Sequence, residues 1–465
     1  MVFQNNVLMG ASGSGTTTHT IDQSIRFNND DNAYMSRTQD TADSKRRLTF
    51  SWWMKRGSSL GTEMAVISAG ASSRFMVRFN TSDKLTFRLT NGTTEKTMTT
   101  DMVFRDVSAW YHCVWIADCT ASPDFSRLYV NGSLVTMTGT QPSADTDFAG
   151  YGDGSVMGIS TLAHSLSSQE FDGYLAEMVL IDNDALLPTS FGEYNSSGIW
   201  IPKDVSGLTF GTNGFHIDGR DSADLGDDES GQGNDFSTNG LAAHDQVPDS
   251  PTNSFAVLNP LDERGSGTLS DGNLQMAFGA TNDNVTATQG LNTGKWYWEV
   301  YIVDKDDPYV GVQDSGVAST GYTEDAVALW VDGGYIYEDG SDTGDRSTTY
   351  ANGDIVGVAF DVDNKKIWWS KNGQWYSADD SSTATINISE VEAGNQAQVI
   401  TRSPDFFMPF VGNYNTGTVI MNFGQEGTFA GNVTAGGNSD GNGVGNFKYS
   451  VPSGYLALCT KNLGS

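Results

Sequence analysis

Basic residues are scarce in this chain of 465 residues: 26 Lys and Arg stand against 57 Asp and Glu, a formal net charge of −31. A phosphate backbone or an anionic lipid surface is held by clustered cations, so nucleic acid is excluded as an expected partner. Cysteine is scarcer still. Cys113, Cys119 and Cys459 fall in no C-x-x-C or metal-like spacing, and three thiols make no disulfide framework, so they read as small apolar residues in strands. No run approaches the roughly 18 apolar residues of a membrane span, and membrane insertion is not expected. The amino terminus, MVFQNNVLMGASG, lacks the basic region and continuous apolar core of a signal peptide, so folding in the cytoplasm of the producing cell is expected. Long stretches of helical period are missing as well. So are a P-loop, a dinucleotide fingerprint and a G-x-S-x-G nucleophile turn; none of the five histidines has a nucleophile motif beside it. The expectation is a protein with no catalytic residues, not an enzyme.

What the chain does have is turn residues between short apolar runs. Gly alone numbers 53, and Asn, Asp, Ser and Thr fill the spaces, which says all-β, in two or three domains at this length. The best-defined strand is GKWYWEV, 294–300, where Trp296 and Trp298 fall on one face and Lys295, Tyr297 and Glu299 on the other. Downstream, strands over 355–361 and 366–370 are joined by a tight Asp-Asn turn, and a third ends near Trp375 after Lys371-Asn372-Gly373. These elements, with Met408-Pro409-Phe410-Val411 and Asn422-Phe423-Gly424, resemble in kind and order a SPRY domain over 263–424.

From Ser24 a series of alternating segments runs to Asp182 without intervening helices, as in a two-sheet sandwich. Ser24 to Phe27, Phe50 to Lys55, Trp110 to Asp118, Leu128 to Gly132 and Phe171 to Asp182 resemble the ordered motifs of a laminin-G or concanavalin-like jelly roll over 23–188. The fold class expected is therefore all-β, two β-sandwich domains joined by an ordered linker. That linker, 189–262, holds one short helix within 186–200 and then apolar residues interspersed among turns. Residues 1–22 form a polar arm, read either as solvated or as an attachment peptide. The Gly/Asn-rich carboxy-terminal segment, 425–465, ends in FKYSVPSGYLALCT, which is expected to dock back on the fold.

Jelly roll, DSPTNSFAVLNPL and SPRY domain in this order resemble virion proteins of marine tailed bacteriophages. The resemblance implies a virion surface location and other virion proteins as partners, as a receptor-binding tail fibre or as a capsid decoration or head fibre bracing the shell. A host-surface polysaccharide or glycan is the implied ligand, and a homo-oligomer, a trimer by analogy with fibres, the implied assembly. Concanavalin-like glycosidases carry E-x-D-x-E or E-x-D-x-x-E strands, paired carboxylates for nucleophile and acid. No such run occurs here, which leaves a polysaccharide depolymerase as the least favoured reading.

Two places have site chemistry. In DSADLGDDESGQGND, 221–235, Asp227, Asp228, Ser230, Asn234 and Asp235 offer hard oxygens on Gly-rich turns, which suits calcium, although the spacing is not that of an EF-hand and an acidic solvated turn is the favoured reading. Carbohydrate binding needs exposed aromatic faces beside carboxylates and amides, and Trp330, Asp332, Tyr335, Tyr337 and Trp369 supply them. Alternation places Trp330 and one of Trp368 and Trp369 toward a core. In SPRY domains loops at one end of the sandwich carry the partner site, which would put 304–309 and 338–346 on its rim.

Overall fold

The computed structural model describes residues 19–91, 94–120, 125–279, 282–316 and 323–463. They fall into two compact units that meet in sequence at Thr252 and Asn253. Both are β-structures. Among the described residues the α-helix is a single short one, Ile388–Glu392.

In the first unit two antiparallel sheets enclose one core. The first runs in the order 133–135, 126–130, 111–118, 47–56, 173–182, 24–27 and 246–247, and Phe215–Ile217 also pairs with Gly173–Asp182. The second runs 137–139, 94–100, 85–91, 75–79, 64–69, 156–159, 34–38 and 237–239. Period-2 alternation in Arg47–Arg56 sends Leu48, Phe50, Trp52 and Met54 into the space between the sheets, where they meet Phe75, Phe87 and Trp115.

The segment expected as a linker is built into this unit. Residues 215–217, 237–239 and 246–247 are strands of its two sheets, so the break lies near 252 and not near 188. The cause is that the first sheet is apolar on both faces. Val114, Ile116, Val179 and Ile181 point away from the central core and need a second cover, which Phe191, Val205 and Phe210 supply. The short helix expected within 186–200 is a single 3-10 turn, Pro188–Ser190, followed by the hairpin Gly192–Tyr194 and Trp200–Pro202. Of the expected arm, residues 1–18 lie outside the described residues; Ile21 packs against Trp53 and Ala176.

In the second unit a ten-stranded sheet contains Lys295–Asp304 between 417–422 and Ile355–Asp361, followed by Lys366–Lys371 and Gln374–Tyr376. Facing it is a six-stranded sheet in the order 284–286, 407–413, 308–314, 326–330, 335–338 and 341–346. Trp296 and Trp298 enter the core between them, and Tyr297 lies on the opposite face, as alternation requires. Asn372 and Gly373 take φ of 50° and 81° in the tight turn that the sequence marks. The carboxy-terminal segment does dock. Phe447, Tyr455 and Ala457 cover Tyr297 and Trp368 on the outer face of the large sheet, and Leu456–Ala457 pairs in parallel with Trp296 and Tyr297.

Candidate functional site

The six-stranded sheet turns an aromatic face outward. In Ala326–Trp330, Val327 and Leu329 enter the core while Ala326, Ala328 and Trp330 lie on the other side, together with Tyr309, Tyr337 and Phe410. The strand register aligns Tyr309, Trp330, Tyr335 and Arg346 in one row across four strands. Trp330 lies parallel to Tyr309 at 6.4 Å and tilted against Tyr335 at 5.5 Å, and the Arg346 guanidinium sits 4.0 Å from the centre of the Tyr335 ring. Trp330, Tyr335 and Tyr337 are all half-buried. Around this row the Trp330 Nε1–H donates to Asp307 at 3.0 Å, Lys305 pairs with Asp332, and Arg346 pairs with Asp342 at 2.8 Å. Four of the five residues expected to hold a sugar are thus brought together, with members of 304–309 and 338–346 along their edge.

The fifth, Trp369, is not among them. It is fully buried in the core between the sheets, where its Nε1–H donates to the Val310 carbonyl at 3.0 Å. Trp368 is fully buried too, on the other face and beneath the carboxy-terminal segment, with Nε1–H donating to the Asn395 carbonyl at 2.7 Å.

The acidic turn 221–235 is closed on itself. Asp228 is buried, and its carboxylate accepts from His216 N at 2.8 Å, Ser230 N at 3.0 Å, Ser230 Oγ at 2.7 Å and Asn234 N at 2.9 Å. Asn234 is buried, donates to the carbonyls of Thr212 and Gly214 at 2.9 and 2.7 Å, and accepts from Arg37. Asp235 accepts from Asp228 N at 3.1 Å. Asp227 is exposed, and partial desolvation with repulsion from Asp235, Asp224 and Asp221 raises its pKa. The oxygens of Asp228 and Asn234 are therefore spent on protein N–H and O–H groups and knot the turn together, while the carboxylates of Asp227 and Asp235 are exposed.

The first unit holds a polar cluster that sequence patterns did not reveal. His112 is buried between Ser51, whose Oγ is 2.9 Å from Nε2, and Trp200, whose Nε1–H donates to Nδ1 at 2.8 Å. Because an indole nitrogen only donates, Nδ1 carries the lone pair and Nε2 carries the proton that Ser51 receives. Burial pushes the His112 pKa down to about 3, so this pair has the tautomer opposite to the one that would activate a serine.

Nearby, strand Gly173–Asp182 bulges between Ala176 and Val179, and Glu177 takes φ 45° there. The bulge directs its carboxylate to His216, with Oε2 2.9 Å from Nε2. Burial opposes charging of His216, but its bond to Glu177 and the carboxylates of Glu177, Asp218 and Asp228 outweigh this and raise its pKa. The signal that could have found this pair is the break in alternation at Ala176-Glu177-Met178 within an otherwise apolar strand.

The folds define two β-sandwich modules. Residues 27–189 match the laminin G family described as the concanavalin A-like lectin/glucanases superfamily, and residues 295–426 match the SPRY domain family. The chain thus carries a concanavalin-like domain followed by a SPRY domain. Similar solved structures include the SPRY domain of human HERC1 at 17% identity, covering 35% of this chain and 96% of that one with a TM-score of 0.29. A native heptameric SAP-like pentraxin from Limulus polyphemus is 14% identical, covering 37% and 80% with a TM-score of 0.28. The TRIM65 PSpry domain is 14% identical, covering 36% and 91% with a TM-score of 0.27. No curated protein matches the sequence. Among the described residues no helix is long and apolar enough to cross a membrane.

Proposed function

We propose that this protein is a non-enzymatic binding protein of a virion surface, which engages a host-surface glycan through the aromatic row on its SPRY domain. The observation that carries this reading is the juxtaposition of half-buried Trp330, Tyr335 and Tyr337 with Asp332, Asp307, Lys305 and Arg346. Sugars present C–H faces ringed by hydroxyls, and they are recognised where aromatic faces stand beside charged and polar groups. The placement on a virion, as a tail fibre, rests on the resemblance in domain order to marine phage proteins. There, repeated weak sites in an oligomer would be converted by effective concentration into firm adsorption.

The test is retention of the full-length protein on immobilised host polysaccharide, together with competition for phage adsorption. Trp330→Ala and Tyr335→Ala are expected to lower retention about tenfold each, the effect of losing one stacked ring worth about 1–1.5 kcal/mol. Retention unchanged in both variants would refute the assignment of this face. Adsorption undiminished by excess protein would refute the receptor role and favour a shell-bracing one.

A further inference from the structure

Glu177, His216 and Asp218 each present one ligand atom, all three within 4.8 Å of one another, and all three residues are buried. They come from two neighbouring strands: the bulge at Glu177 and the end of Phe215–Ile217, which pairs with it through Val179 and His216. One further observation indicates a missing partner. The His19 Nε2 atom lies 3.9 Å from Glu177 Oε1, is buried, and has no hydrogen-bond partner among the described residues. Asp218 Oδ2 is ion-paired with the Arg220 guanidinium at 2.8 Å, and that Arg220 side chain is largely exposed and free to swing away. The bulge holds Glu177 at φ 45° and turns its carboxylate toward His216.

We propose that Glu177, His216, Asp218 and His19 form a site for a divalent transition ion of the zinc type. Two imidazoles and two carboxylates are the ligand set of a borderline ion and not of calcium, which takes six to eight oxygens. Ligand atoms about 2.0–2.2 Å from zinc in a tetrahedron stand roughly 3.3 Å apart; the Glu177, His216 and Asp218 atoms lie within 4.8 Å of one another and His19 Nε2 within 3.9 Å of Glu177, so the four ligands have to draw together around the ion. Two carboxylates also balance its charge. Because His19 precedes Ile21, which packs beside Ala176, the ion would tie the start of the chain to the bulged strand. The acidic knot at Asp228 takes part only indirectly, by holding the His216 backbone.

The experiment uses the full-length, untagged protein, freed of metal by chelator and titrated with zinc alone, and with calcium alone, by calorimetry and thermal unfolding. One zinc per chain and a raised melting temperature are expected, with no heat from calcium. His216→Ala should weaken zinc binding by on the order of 100-fold and the more exposed His19→Ala by about tenfold. His19→Ala should leave the metal-free melting temperature unchanged, so it remains informative if His216→Ala folds poorly. Cobalt(II) in place of zinc should give the intense visible bands of a four-coordinate site, and these should be lost in His19→Ala. Absence of stoichiometric zinc, or zinc binding indifferent to both histidine substitutions, would overturn the proposal.

Discussion

The Glu299 carboxyl offers the sharpest test of how the carboxy-terminal segment is held. It is fully buried on the outer face of the large sheet of the second unit, where Oε1 accepts from Tyr449 N at 2.8 Å and Tyr297 OH at 2.9 Å. Oε2 accepts from Lys448 N at 2.8 Å and Asn422 Nδ2 at 3.3 Å. Burial pushes its pKa up from 4.5 to about 7 even against these four donors. A carboxyl raised in this way keeps its proton in the folded state at a pH where the unfolded chain has lost it. Its stabilising contribution is therefore complete below about pH 4.5 and is lost as the pH rises through about 7. At about 1.4 kcal/mol for each tenfold change in the proton equilibrium, the loss amounts to about 3 kcal/mol. The assay is hydrogen exchange read by mass spectrometry on peptides spanning 445–458, corrected for intrinsic rates, at pH 5 and pH 8. In the wild type, opening of this segment should become easier by about that amount between the two. Glu299→Gln cannot titrate. Its amide nitrogen also faces one of the two backbone N–H groups, so the variant should be weakened at pH 5 by about 1–3 kcal/mol yet show a flat profile. Equal pH dependence in wild type and variant would refute the reasoning, because the other carboxylates of this acidic chain would then account for it.

Three further outcomes are expected. Lys55 and Asp249 form an ion pair at 2.8 Å with both side chains inaccessible, so Lys55→Met should destabilise the first unit by about 3–5 kcal/mol in thermal unfolding, and adding Asp249→Leu should recover part of the loss. Trp369→Ala should cost about 3–5 kcal/mol of stability, as expected of a fully buried ring in a packed core, whereas Trp330→Ala should act on ligand retention with a much smaller shift in melting temperature. His112, with its pKa pushed down to about 3, should show no imidazole titration between pH 5 and pH 8 by NMR, and Ser51→Ala should leave no activity deficit toward ester or glycoside substrates.

The sandwich domains were legible because each has strands of five to ten residues with one face turned to a core, and such strands write their period into the sequence. Lys295–Asp304 and Ile355–Asp361 are of this kind. The boundary near 252 was not legible for the opposite reason. Strands of two or three residues, such as Phe215–Ile217 and Gln246–Val247, are too short to show a period, and their position depends on a sheet more than 30 residues away. The clue was on the sheet itself: Tyr111–Asp118 is buried at every position, and a strand apolar on both faces requires a second layer. Trp368 and Trp369 illustrate the same point. Alternation assigns one of them to the core and frees the other only if the outer face is bare, and here Phe447 and Tyr455 cover it.

Candidate sites divide along similar lines. Trp330, Tyr335 and Tyr337 could be read together because a hairpin places residues close in sequence on one face. The acidic turn was not legible because a list of carboxylates does not say where their lone pairs go, and at Asp228 they go to the turn's own N–H and O–H groups. His19, Glu177 and His216 are separated by 158 and 39 residues and meet only because a bulge rotates Glu177 out of register. In an acidic chain, the carboxylates that can do specific work are those whose positions cost the fold something. Glu177 at positive φ and Glu299 under the docked segment meet that condition, whereas the exposed majority are free to be solvated charge.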